Sequence, residues 1–295
     1  MEASELLKKV RKLEIKTKGL SKHIFSGEYH SAFKGRGMSF SEVRDYQYGD
    51  DVRNIDWNVT ARYNEPFVKI FEEERELTVM LLVDMSKSAF FGTVEQMKNE
   101  ILTEICAVLA FSASTNNDKV GMVLFTDKVE KYIPPKKGRM HILRIIRELI
   151  NFQPTSAGTN LTRALEFFNN IQKKRSTTFI LSDFLTKDYE DALRIAKRRH
   201  DIIGIHLYDP REKELPNVGL IRGVDAETGK HILIDSSNRK TRERYKKYFE
   251  DNYERFHGTF LKTGADIISL EIPPKSEIKD QFYVKELLRF FKKRH

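Results

Sequence analysis

The chain has 295 residues, 40% of them hydrophobic and 11% aromatic, enough for one large α/β domain or a medium domain with an added module. No apolar run approaches the ~20 residues a membrane helix needs. The opening MEASELLKKVRKLEIK has neither an apolar signal core nor a small-residue cleavage site, so export is not expected. The single cysteine, Cys106, excludes an internal disulfide and makes the cytoplasm the expected compartment. It lies in EILTEICAVLAF and reads as a small core residue. The net charge of +9 is concentrated at the ends. Residues 1–35 carry eight Lys/Arg against four Glu, and residues 285–295 carry five against one. These ends read as solvated helix faces, with a nucleic acid or acidic partner as the alternative.

In chain order, SELLKKVRKLE (4–14) places Leu6, Leu7, Val10 and Leu13 on one helical face behind a Ser4 cap. Residues 15–65 are less regular. Within them Asp50 or Asp51 can cap a short helix, VRNIDWNVTARY, whose Val52, Ile55 and Val59 share a face. PFVKIFEEE, from 66, alternates like a strand. From 77 the pattern becomes strand, helix, strand. TVMLLVD is a strand and VEQMKNEILTEICAVLAFSAS (94–114) a long helix. KVGMVLFTD (119–127) is a strand with VEKYI (129–133) as a possible edge partner. Helices are expected over 138–152 and 159–173, a strand over 177–184, a helix over 189–199 and a strand over 201–210. GLIRGVDAETGKHILIDSS (219–237) reads as a β-hairpin. A charged helix over about 239–262, a strand over 265–272 and a last helix, YVKELLRFFKK, complete the chain. Nearly all-apolar strands bounded by helices predict a parallel sheet covered on both faces.

The strand Thr78 to Val83 stops at Asp84, and Ser86 and Ser88 follow at alternate positions. In open parallel sheets ligands sit at the carboxyl ends of strands, near the point where strand order reverses. Alternation past the strand directs Asp84, Ser86 and Ser88 into one crevice. One carboxylate and two hydroxyls are hard oxygen ligands that suit Mg²⁺ or Mn²⁺ rather than zinc. SAGTN (156–160) offers Thr159 at a helix start, and FILSDF ends a second buried strand at Asp183. Both belong at the same sheet edge.

The order Asp84-x-Ser86-x-Ser88, Thr159 in Gly-Thr-Asn and Asp183 in Ser-Asp resembles the metal-ion-dependent adhesion site of von Willebrand factor A domains, over roughly 77–210. The resemblance implies that both serines and the threonine bind a cation directly, and that the aspartates bind it directly or through water. Phe184 stands where a glycine is frequent. A second resemblance runs nearly end to end. KGRGMSFSEVRDYQYGDDVRNIDWNVTARYNEPFVKIFEEERE (34–76), PPKKGRMHILRIIREL, HDIIGIHLYDPRE and VDAETGK are similar to domain-of-unknown-function family 58. That family joins such a segment to a von Willebrand A-like domain. Its members are typically encoded beside MoxR-type AAA+ ATPases, sometimes in aerotolerance operons.

The expected organisation is therefore a family-specific segment (1–76) packed on a von Willebrand factor A-like α/β domain (77–295). Within the first segment, Arg44, Asp45, Asp50, Asp51, Arg53, Asp56 and Arg62 alternate in sign around Trp57. They read either as a docking surface with an aromatic anchor or, the favoured expectation, as an internal ion-pair network that fastens the segment to the domain with Trp57 as its plug. The expected function is a cytoplasmic, non-enzymatic adaptor that binds a MoxR-type AAA+ ATPase or its client through an acidic side chain and a bound Mg²⁺ or Mn²⁺. One alternative is a Mg²⁺-dependent phosphate-ester hydrolase. Against it stand the absence of an Asp pair on the first strand, of H-x-x-E and H-E-x-x-H, and of a lysine placed like a phosphatase's. No G-x-x-x-x-G-K-[ST] loop is present either. The other alternative is nucleic-acid binding through the basic ends.

Overall fold

The computed structural model describes residue 14 and residues 39–72, 77–90, 98–224, 231–273 and 282–294. The helix expected over 4–14 lies, apart from Glu14, outside the described residues. The chain forms two compact units, one spanning Phe33–Leu77 and the other the remainder.

In the smaller unit, β1 (Ser39–Asp45) pairs antiparallel with β2 (Phe67–Glu72), with Asp45 opposite Phe67. The single helix expected between them is two pieces. Asp51 caps one 3-10 turn, Val52–Asn54. Asp56 then accepts from Asn58 N at 3.0 Å and Val59 N at 3.3 Å and starts α1, Trp57–Tyr63. Satisfying two otherwise orphaned amides restarts the helix, and Ile55 between the pieces bridges to Val68. Val52 is exposed, so the shared apolar face does not form. The charges pair at short range: Arg44 grips Asp50 through two bonds of 2.8 and 2.7 Å, Arg53 meets Asp51, and Lys69 meets Asp56. Within this unit Trp57, the first residue of a short surface helix, is 69% exposed.

The larger unit is built on a six-stranded sheet in the order β10-β7-β6-β3-β4-β5. The strands are β3 (Thr78–Asp84), β4 (Lys119–Phe125), β5 (Val129–Lys136), β6 (Thr177–Ser182), β7 (Asp201–Tyr208) and β10 (Asp266–Glu271). All neighbours are parallel except the β4–β5 edge pair. A hairpin of β8 (Leu220–Val224) and β9 (His231–Asp235) stands as its own two-stranded sheet. The helices are α2 (Lys98–Thr115), α3 (Arg139–Asn151), α4 (Leu161–Ile171), α5 (Glu190–Arg199), the single turn α6 (Pro210–Lys213), α7 (Arg239–Thr263) and α8 (Phe282–Lys293).

Period-two alternation along the strands feeds two cores. Met80, Leu82, Val123, Phe125 and Ile180 pack with Leu165 and Phe168 of α4, Leu193 of α5 and Phe256 and Phe260 of α7. Helix α2, buried on nearly all sides, lies against the other face of the sheet with α3. There Phe179 of β6 meets Phe291 of α8 edge-on. This is the expected α/β architecture, a mostly parallel sheet with helices on both faces. The chain leaves β3 toward β4 and β5, then crosses back to place β6 on β3's other side. Strand order therefore reverses between β3 and β6, where a ligand crevice is expected.

Candidate functional site

The carboxyl ends of β3 and β6 meet at this reversal. Val83 is opposite Leu181, so Asp84 closes one strand where Ser182 and Asp183 close its neighbour. Asp84 is buried. Its Oδ1 accepts from Ser86 N at 3.0 Å and its Oδ2 accepts from the Ser182 hydroxyl at 2.7 Å. Ser182 in turn accepts from Phe184 N at 3.0 Å. The Ser86 and Ser88 hydroxyls lie 2.9 Å apart. A cavity at this point is lined by Asp84, Ser88, Lys98, Ser182 and Asp183, with apolar Leu102 and Leu207.

The structure thus brings Asp84, Ser86, Ser88 and Asp183 to one sheet edge. Thr159 lies in the adjoining loop. That loop is tied to the serine turn where Lys87 N donates to the Ala157 carbonyl at 3.3 Å. Two anchors hold it against β4 and β5: Asn160 N donates to the Thr126 carbonyl at 2.8 Å, and Thr155 donates to Glu130. Asn160 also caps α4 through Arg163 N. Thr159 is half-buried and is not among the residues lining the cavity.

Phe184, in the place where a glycine is frequent, has φ of 53°. A bulky side chain rarely adopts this left-handed backbone. Here its ring is buried, stacked on Phe256 at 4.3 Å and edge-on to Phe260 at 5.2 Å. Aromatic burial offsets the backbone cost, and the turn leaves Leu185 N donating to Asp183 Oδ1.

Three functional candidates were not singled out from the sequence. Ser182 was read only as the neighbour of Asp183. Lys98 lies in the helix expected over 94–114, where no spacing marks it. Yet its side chain is 2% exposed, and its Nζ lies 2.9 and 3.2 Å from the Glu212 carboxylate and 3.8 Å from Asp183. A lysine therefore stands at this edge. Glu212 follows β7, the strand next to β6. It closes a capping box in which Asp209 N donates to it at 2.8 Å and Asp209 accepts from Arg211 N. The D-x-x-E spacing of Asp-Pro-Arg-Glu is the signature that marks it.

The electrostatics follow from burial. Asp84 is pushed up to about 7, by desolvation and then by the charge of Asp183, against the opposing hydrogen bonds from Ser182 and Ser86. Desolvation pulls the Lys98 ammonium down, but Asp183, Glu212 and Asp84 outweigh it and hold the group above its ordinary value. Glu212 is raised by burial, with Lys98 opposing. His206, in β7, is lowered to about 3 by burial, so it is neutral at pH 7.

The donor set fits a small hard cation. Mg²⁺ binds oxygen at about 2.0–2.1 Å in an octahedron, whose adjacent oxygens are therefore about 2.9 Å apart. The two serine hydroxyls, hydrogen-bonded to each other at 2.9 Å, stand at a separation compatible with that geometry. Among the described residues no group of three or more His, Cys, Asp or Glu is arranged to hold a metal, so such a site depends on the hydroxyls. Among the same residues no helix is long and apolar enough to cross a membrane.

The chain is 30% identical to Uncharacterized protein Rv1480 of Mycobacterium tuberculosis, over 95% of this chain and 87% of that one. It is 25% identical to Uncharacterized protein YeaD of Bacillus subtilis, over 65% of this chain and 46% of that one. Among solved structures it is similar to an aerotolerance-related membrane protein from Bacteroides fragilis, with a TM-score of 0.48 and 15% identity, covering 74% of this chain and 99% of that one. It is also similar to the SpRpn10 VWA domain, with a TM-score of 0.39 and 14% identity, covering 75% and 96%. The family described as "Protein of unknown function DUF58" matches residues 42–255. The chain belongs to the DUF58 family.

Proposed function

We propose that this protein is a non-enzymatic adaptor that binds a partner protein through a Mg²⁺ or Mn²⁺ held by Asp84, Ser86, Ser88, Thr159 and Asp183. The observation that carries this reading is the pair of serine hydroxyls 2.9 Å apart beside the buried Asp84. When bound, the cation supplies an open coordination position that accepts a partner's carboxylate. The chain's own residues hold that position still: Ser182 and the Ser86 amide fix the Asp84 carboxylate, and the loop anchors fix Thr159. The family resemblance points to a MoxR-type AAA+ ATPase, or its client, as the partner. The cytoplasm is the proposed compartment, in keeping with the single, buried cysteine.

Lys98 is the one observation that favours a hydrolase, since an ammonium beside carboxylates can receive a phosphate. Two features weigh against that reading. Glu212 already engages the ammonium through two bonds. The position two residues after Asp84 holds Ser86, which leaves no second carboxylate on that turn to act as general acid.

The test is co-elution with the ATPase, with and without chelator, at two salt concentrations. Association is expected to require the cation, to drop in Asp84→Ala and Thr159→Ala, and to depend only modestly on salt. A complex that ignores the chelator and dissolves as salt rises would mean that exposed basic residues, not this site, make the contact.

A further inference from the structure

Three carboxylates arrive at the sheet edge from three adjacent strands. Asp84 ends β3, Asp183 follows β6, and Glu212 stands in the turn after β7. Among the described residues one ammonium serves them, that of Lys98 at the start of α2. It bonds Glu212 through both oxygens and stands 3.8 Å from Asp183. Carboxylates outnumber the ammonium here, and a divalent cation would offset that excess. Glu212 is pinned by the capping box and cannot follow Lys98 away. The ammonium thus has a fixed partner on one side and a candidate cation ligand on the other.

We propose that Lys98 is a tethered monovalent cation shared between the divalent site and Glu212, and that it sets the site's affinity. This inference rests on the cation reading of the previous section. Entry of a divalent ion takes Asp183 from Lys98, and the ammonium is then held by Glu212 alone. Like charges a few ångströms apart in a buried crevice repel strongly, so Lys98 weakens divalent binding and Glu212 relieves that penalty. Lys98 is a positioning residue in this scheme. A purely structural role, stapling the start of α2 to the turn after β7, would move stability and leave cation affinity unchanged.

The experiment is Mn²⁺ titration calorimetry on the full chain, comparing wild type with Glu212→Gln and with Lys98→Met/Glu212→Gln. The double variant removes both charges together, so that neither is left buried and unpaired. Gln at 212 retains the acceptor that the capping box needs. The double variant is expected to bind Mn²⁺ at least tenfold more tightly than wild type. Glu212→Gln, which leaves the ammonium with Asp183 alone, is expected to bind at least threefold more weakly. Should the double variant fold poorly, the weakening in Glu212→Gln is still required. Affinities within twofold of wild type, or shifts of the opposite sign, overturn the Lys98 inference. If wild type still binds and Asp84→Ala does not, the cation site itself stands. Absence of Mn²⁺ binding in both wild type and the double variant overturns both.

Discussion

Asp84 is a carboxylate held where water cannot reach it, and without a cation that arrangement is costly. Its folded value of about 7 lies above the ordinary 3.8. Between those limits the folded chain holds a proton that the unfolded chain releases. Lowering the pH from 8 toward 4 therefore favours folding through this group, and raising it through 7 removes the benefit. Asp84→Asn, which keeps the acceptor for Ser86 N and removes the charge, is expected to melt several degrees above wild type at pH 8 in chelator. The advantage should shrink toward zero at pH 4. Thermal melts across that range check it, and a constant offset at every pH would contradict the assignment. His200 and His206 act with the opposite sign. They are lowered by burial to about 4 and about 3, so the unfolded chain takes up protons below about 6.5 that the folded chain refuses. Both proteins should accordingly lose stability on their acid limb.

Phe184 sets two residue-level costs against each other. Its left-handed backbone costs on the order of 1–2 kcal/mol. Removing a buried phenyl ring costs on the order of 3–5 kcal/mol. Phe184→Gly relieves the first and incurs the second, so a net loss of about 2 kcal/mol is expected in chemical denaturation. A stabilised variant would show that the ring contributes little to the packing of α7.

At the level of elements, β7 and α7 meet around a glycine. A Cβ on Gly204 would stand 2.5 Å from the Phe260 ring and 3.3 Å from that of Phe184. Gly204→Ala is expected to cost on the order of 1–3 kcal/mol by overpacking, measurable as a lower denaturation midpoint. A neutral effect would mean that the rings shift freely. DIIGIHLYDP carries this glycine in mid-strand, where it marks a close approach, but only the fold shows that Phe260 makes it.

The elements from 77 onward were legible because strong periodicity and tertiary packing agree there. Strands β3, β4, β6 and β7 are continuous apolar runs, and α3, α4 and α5 are amphipathic. The segment before them was not. Strand β1 is mixed in charge and takes its form from pairing with β2. The break at Ile55 arises because Asp51 and Asp56 each capture free amides, a division that composition leaves open. Lys98 and Glu212 were illegible as a pair because 114 residues separate them and only the sheet order makes them neighbours.

At the scale of the whole molecule, the family match over 42–255 takes in most of the smaller unit and the sheet edge that carries Asp84, Asp183 and Glu212. The D-x-S-x-S run and the two aspartates could be read from the sequence because each ends or follows an apolar strand. The position of Thr159 depends on a loop held by Thr126 and Glu130, contacts that no linear spacing encodes. The central claim is that this edge binds a divalent cation through Asp84. Mn²⁺ titration calorimetry of wild type against Asp84→Ala at pH 8 tests it most directly. One saturable site in wild type and none in the variant is the predicted result; equal affinity in the two proteins would contradict it.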